Sequence, residues 1–182
     1  GYAADVTRTH AREPGPFAEL IEAMEAAQQS LVARIRPGLP WGDLHHQAQM
    51  AVAGVLAEAD IATTDADTLL ERGITRSFMP HGLGHLIGAQ THGTLAPPPK
   101  AYPTLRLTRT VEPDWVVTVE PGLYFIPMLL DRLRDGPDAG LLDWNRIDQL
   151  TPFGGIRIED DVRVTATGAE NLTRNAFRGH PA

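Results

Sequence analysis

The segment His81-Gly-Leu-Gly-His85, followed by His92, puts three of the chain's seven histidines within one apolar, glycine-rich stretch. Histidine is the commonest metal ligand and the side chain best placed for proton transfer near neutrality. Glycines beside it allow close backbone approach and leave room for a ligand. Three carboxylates stand at points where strands would present them. Glu120 ends the apolar run Val116-Val117-Thr118-Val119 and is followed at once by Pro121-Gly122. Buried there, it needs a cation or strong donors. From Gly155 to Val164, residues 156, 158, 162 and 164 are apolar and share one parity, whereas Arg157, Glu159, Asp161 and Arg163 share the other. Glu159 therefore points away from the apolar face. Asp5, between Ala4 and Val6, has a similar setting.

Taken singly, each feature has a plainer reading: loop histidines, a salt-bridged strand face, a strand-end glutamate in water. Together they supply one histidine and several carboxylates from four separate segments. An oxygen-rich site with one imidazole favours Mn²⁺, with Zn²⁺, Co²⁺ and Fe²⁺ as alternatives. A carboxylate can bridge two such ions roughly 3.5–4 Å apart, and hydrolysis is the reaction class that follows.

The elements that must position these groups fall into two blocks. Tyr2 to Thr9 alternates like a strand, and Glu13 to Pro16 breaks the pattern. Phe17, Leu20, Ile21, Met24, Ala27, Leu31, Val32 and Ile35 follow helical spacing up to Pro37-Gly38. A second helix is predicted from a cap at Asp43, with Leu44, Ala48, Val52, Val55 and Leu56 on one face, and a third within Asp65 to Arg72. Beyond Phe78 the chain turns to glycine-rich turns and short strands: extended segments around His81 to Gly93, then Trp115 to Glu120 and Gly155 to Thr165. Ala96 to Pro103 reads as a proline-rich loop and Leu129 to Trp144 as a mobile excursion. Helices followed by strands predict an α+β domain.

Bulk properties narrow the partners. The 182 residues fit one domain with a sizeable core. A net charge of −7 argues against nucleic acid or an anionic membrane surface. With no cysteine, disulfides, zinc-thiolate sites and a cysteine nucleophile are excluded. No apolar run reaches the roughly 20 residues that span a bilayer, and the first ten residues lack a signal peptide's apolar core, so a cytoplasmic address is expected.

HGLGH at 81–85, TVEPGLYF at 118–125 and GGIRIED at 154–160 resemble the sequence blocks of the pita-bread metallopeptidases, as does GYAADVTRT at 1–9. That family includes Xaa-Pro dipeptidases, aminopeptidase P, methionine aminopeptidase and creatinase. LRLTR at 105–109 and PFGGIRIED look most like the Xaa-Pro dipeptidases of the bacterial type. The resemblance implies a creatinase/aminopeptidase-like α+β fold, with a mixed, largely antiparallel curved sheet covered by helices. Residues 1–182 would be most of one catalytic domain, with the N-terminal part of the fold and the family's N-terminal domain absent. It implies Asp5, His85, Glu120 and Glu159 as metal ligands, with Asp5 and Glu159 bridging two Mn²⁺ ions in the complete enzyme and one or none here. His92 would contact the substrate at the scissile bond, and His81 and Arg106 would hold its C-terminal carboxylate. Arg157 would fix the geometry of the bridging glutamate. The implied reaction is hydrolysis of Xaa-Pro dipeptides by a metal-activated hydroxide, with Glu120 shuttling the proton and His92 stabilising the oxyanion, in a homodimer.

The pattern also departs from the family's. A first aspartate ligand, eleven residues before the second, would fall before Gly1. Gly93 stands where an aspartate usually follows the substrate histidine, and Asp114-Trp115 where a Gly-Met pair is usual. The Ala96–Pro103 loop looks shortened. An aminopeptidase P-like or organophosphate-hydrolysing relative, or a non-catalytic pita-bread binding module, are the alternative readings.

Overall fold

A computed structural model describes residues 1–93, 98, 100 and 102–179. Helix α1 (Pro16–Val32) opens with proline at its first turn, where the missing N–H is no loss, and buries Phe17, Leu20, Met24 and Leu31 along one stripe. Gln28 continues that stripe, fully buried, with its side-chain amide donating to Val119 O and to Asp160. Helix α2 (Trp41–Glu58) begins two residues before the predicted cap. Asp43 instead occupies the first turn, where a carboxylate favours the positive end of the helix dipole. Asp60, in the left-handed region at φ 55°, turns the chain out of α2. Helix α3 (Ala66–Glu71) is capped by Asp65, whose side chain accepts from the Thr68 N–H at 2.7 Å, and Gly73 at φ 70° ends it. Helix α4 (Thr75–Phe78) follows directly.

Strands β1 (Val116–Val119), β4 (Asp160–Val164) and β5 (Ala169–Asn171) form one antiparallel sheet in the order β1-β4-β5, and β2 (Gly122–Tyr124) pairs with β3 (Gly155–Arg157) in a second. The stretch predicted as one strand over 155–165 is thus divided. The division has a clear cause. Val119 faces Asp160 in the first sheet and Gly122 faces Arg157 in the second, so both pairings keep one register. Pro121 lacks the N–H that would carry the ladder through, and the ladder breaks where Glu120 stands opposite Glu159.

Residues 83–87 lie along the other edge of β1. Glu120 N–H donates to Leu83 O at 2.8 Å, Thr118 N–H to His85 O at 2.9 Å and Ile87 N–H to Val116 O at 3.0 Å. The extended segment predicted around His81 to Gly93 therefore contributes a short edge pairing. The strand predicted over residues 2–9 reduces to one bridge, Thr7 with Glu159. The excursion predicted over 129–144 is in fact helix α5 (Pro127–Arg134) and a 3-10 turn at Ala139–Leu141, with Leu130 and Leu142 buried in the core. Its Arg-Asp-Gly-Pro run suggested mobility, but the apolar leucines pin it. Helix α6 (Trp144–Leu150) is capped by Asp143, and α7 (Leu172–Gly179) packs against β4. The Ala96–Pro103 loop lies largely outside the described residues. No described helix is long and apolar enough to cross a membrane.

Trp41, Phe78 and Phe125 are the largest fully buried side chains, and Phe78 meets Phe125 edge-on at 6.1 Å. Gly84 is where packing is tightest: a Cβ there would lie 1.9 Å from Thr118 O. Gly84→Ala is therefore expected to push residues 83–87 off β1 and destabilise the protein by roughly 3 kcal/mol, the upper end for overpacking. Urea unfolding checks this; a loss under about 1 kcal/mol would contradict the tight approach.

Candidate metal centre

The edge pairing and the ladder break bring three of the predicted ligands together. His85 projects from the 83–87 edge, Glu120 from the end of β1, and Glu159 from the junction of β3 and β4. One donor atom from each lies within 4.8 Å of the others, and all three residues are buried. Asp5 joins from the N-terminal segment, its Oδ2 3.7 Å from His85 Nε2. That segment is held by Ala3 N–H on Gly88 O and by the Thr7–Glu159 bridge.

The tautomer of His85 is fixed by its neighbour. Nδ1 donates to Leu86 O at 3.0 Å, so Nε2 carries the lone pair. Nε2 faces Glu120 Oε1 at 3.5 Å as well as Asp5. Both separations exceed a hydrogen bond. Burial, chiefly, lowers the His85 pKa and disfavours a charged ring, with the Leu86 hydrogen bond and then Asp5 pulling the other way. A neutral imidazole lone pair and carboxylate oxygens that converge without touching are a donor set that fits a divalent cation.

The carboxylates are set by hydroxyl donors. Thr7 Oγ1 donates to Glu159 Oε2 at 2.6 Å. Thr118 Oγ1 accepts from the His85 N–H at 3.0 Å and donates to Glu120 Oε1 at 3.2 Å, so one hydroxyl orients two predicted ligands. Burial, then the charge of Glu159, raises Glu120 to about 7, against the opposing pull of Arg157. Burial likewise raises Glu159, with Thr7 opposing.

The remaining predicted residues surround one cavity of about 850 Å³ lined by Asp5, His81, His85, His92, Arg106 and Arg157, among others. His92 and Arg106 are exposed at it. Arg157, expected beside Glu159, instead reaches Glu120 Oε2 at 3.6 Å through Nη1, and its Nε donates to Tyr124 Oη at 2.8 Å. His81 Nδ1 donates to Gly82 O at 2.8 Å, leaving Nε2 to accept from Tyr124 Oη at 3.1 Å. Tyr124, Thr7 and Thr118 were not singled out from sequence. Thr7 shares the parity of Asp5, and Thr118 that of Glu120, which was the available signal. A cavity of about 910 Å³ elsewhere is lined mostly by apolar groups such as Tyr2, Val6, Trp115 and Phe177 and gathers no comparable donor set.

Residues 1–166 match the metallopeptidase family M24. The chain is 48% identical to the Xaa-Pro dipeptidase of Shewanella oneidensis over 184 residues, which cover 96% of this chain and 42% of that protein. It is 45% identical over 188 residues to the Xaa-Pro dipeptidase of Stenotrophomonas maltophilia, covering 97% and 42%. The chain thus spans under half the length of these curated relatives. Among solved structures it is similar to zinc-substituted Escherichia coli aminopeptidase P in complex with product, at TM-score 0.71 and 28% identity, covering 96% of this chain and 35% of that one. Proline aminopeptidase P II from Yersinia pestis is similar at TM-score 0.70 and 31% identity, covering 96% and 36%. The α+β pita-bread class predicted from sequence is the fold the chain shares with them.

The raised pKa of Glu120 gives the folded protein a pH signature. The folded state holds this proton more tightly than the unfolded state, so the contribution to stability is whole below 4.5 and lost as pH rises through about 7. His45, which burial lowers to about 4, acts in the opposite sense: its contribution is whole above 6.5 and lost as pH falls toward 4. E120Q isolates the first effect. In urea unfolding with a chelator present, E120Q is expected to gain on the order of 3 kcal/mol relative to wild type between about pH 4.5 and 7.5. A pH-independent difference would rule out a raised Glu120.

Proposed function

The chain belongs to metallopeptidase family M24, and on that premise we propose that it forms most of the catalytic domain of a metal-dependent Xaa-Pro dipeptidase. The observation that carries this reading is the convergence of Asp5, Glu120 and Glu159, from three distant segments, on the free Nε2 of His85. These four residues would hold the metal. Mn²⁺ suits the carboxylate-rich set, with Zn²⁺, Co²⁺ or Fe²⁺ as alternatives. When bound, the ion supplies an acidified water nucleophile and polarises the scissile carbonyl.

The chain's own residues do the rest. The guanidinium of Arg106 and the imidazole of His81 flank the cavity. They receive the free carboxylate of a C-terminal proline, which makes a dipeptide the preferred length. His92, exposed on the cavity wall, hydrogen-bonds the carbonyl oxygen as it gains charge. Glu120 accepts the proton of the attacking water and delivers it to the proline nitrogen as the C–N bond breaks. Arg157 holds Glu120 through Nη1 while Tyr124 holds Arg157, so the carboxylate keeps its aim. A cytoplasmic location and a homodimer belong to the same proposal.

Two substitutions in the whole protein separate these roles. E120Q is expected to lower kcat for Gly-Pro by about 10²–10⁴-fold, the range for removing a general acid–base. Arg106→Ala is expected to raise KM by about tenfold or more with a smaller change in kcat, as for a lost charge-assisted hydrogen bond. Titration calorimetry with Mn²⁺ accompanies both. Absence of Mn²⁺ binding, or full turnover by E120Q, would overturn the reading and leave a binding module of the same fold.

A further inference from the structure

Arg106 reaches the cavity from a segment that belongs to no helix or strand. Leu105 and Leu107, on either side of it, are buried in the core, and Arg106 itself is exposed. A turn just upstream sets where along the cavity wall it stands. Leu105 N–H donates to Tyr102 O at 3.0 Å, closing a four-residue turn with Pro103 at its second position, where the fixed φ of proline suits it. The turn packs on the backbone beside His81: a Cβ at Gly82 would lie 2.9 Å from Thr104 O and 3.1 Å from Leu105 Cα.

Tyr102 ties this turn to the helices. Its ring meets the buried His45 ring of α2 edge-on, with centroids 4.6 Å apart at 85°. Its hydroxyl shares a hydrogen bond with His46 Nδ1 at 2.8 Å. From α4, the Arg76 guanidinium lies 5.5 Å from the ring centroid, within cation–π range. Three side chains from two helices thus hold one phenol, and neither helix supplies a residue to the metal centre.

We propose that Tyr102 is a positioning residue: clamped by α2 and α4, it fixes the turn from which Arg106 meets the substrate's free carboxylate, and so tunes recognition of that C-terminus. This rests on the functional reading above, in which Arg106 receives the carboxylate. The clamp bears on Arg106 and not on the ligands of the metal, so its signature is a change in KM with kcat kept.

Steady-state hydrolysis of Gly-Pro by the whole protein tests this. Tyr102→Phe keeps the ring contacts with His45 and Arg76 and removes the hydroxyl alone. It is expected to raise KM by about 2–10-fold, the range for one neutral hydrogen bond, with kcat and Mn²⁺ affinity unchanged. His46→Ala removes the other end of the bond at an exposed helix position that suits alanine. It is expected to give the same rise, and the double variant no further one. Added to Arg106→Ala, Tyr102→Phe is expected to move KM by no more than about twofold, because no guanidinium is left to aim. A merely structural loss would instead lower kcat and add to the effect of Arg106→Ala. Unchanged KM in both Tyr102→Phe and His46→Ala, beside a raised KM in Arg106→Ala, would overturn the proposal and leave the functional reading standing. Unchanged KM in Arg106→Ala would overturn the proposal together with the role given to Arg106.

Discussion

Removing a carboxylate from water is costly unless donors or a cation replace the lost hydration, and this constraint organises the whole domain. Glu159, Asp160 and Asp161 are consecutive and all buried. Glu159 and Asp160 meet it with different donors, and Asp161 meets it only in part, its Oδ1 buried without a partner. Glu159 takes the Thr7 hydroxyl on one oxygen and leaves the rest of its carboxylate toward His85 and Glu120. Asp160 is fully buried, which pushes its pKa up, but donors from Asn171, Arg8 and Arg174 outweigh burial and hold it below the usual range. Gln28 of α1 adds a further donor at 2.9 Å. Asp161 accepts from the Asp5 N–H at 3.2 Å and so ties the N-terminal segment to β4. One short run of acid thus links the centre, the core and the chain's beginning.

The metal side and the substrate side form one polar network. From Glu120 it passes through Arg157 to Tyr124, to His81, and ends on Gly82 O. A donor direction can be assigned at every hydrogen bond, because the carbonyl can only accept and the guanidinium can only donate. Behind it, the single hydroxyl of Thr118 couples His85 to Glu120. The tight approach at Gly84 serves this coupling: it lets the 83–87 segment lie close enough to β1 for the His85 N–H to reach Thr118 Oγ1.

Much of this was legible in the sequence because type and spacing coincided. Helices α1 and α2 follow from their apolar stripes, and His81, His85, Glu120 and Glu159 stand in short blocks with recognisable turns. What was hidden required knowledge of pairing. Asp160 shares the parity of Ile158 and Val162, so alternation places a charge on the core face, and nothing local indicates that Arg8 and Arg174 arrive from either end of the chain to meet it. The division of 155–165 depends on Pro121, which stands between the two partner strands β1 and β2. The helix at Pro127 was obscured by the glycine and proline that follow it, since loop signals at one end of a segment outweigh a short apolar pattern at the other.

The Thr7–Glu159 hydrogen bond joins residues 152 apart in sequence, and Arg8 reaches Asp160 across the same interval. Contacts of that separation close very long loops, so they lag behind local helices and hairpins during folding. During synthesis the segment that carries Asp5 is made well before the segment that carries Glu159. Asp5 and Glu159 cannot face each other until residues near 159 have emerged. Assembly of the donor set is thereby coupled to synthesis through residue 159: a polypeptide that stops short of it holds His85 and Glu120 without the carboxylate that would join them to Asp5.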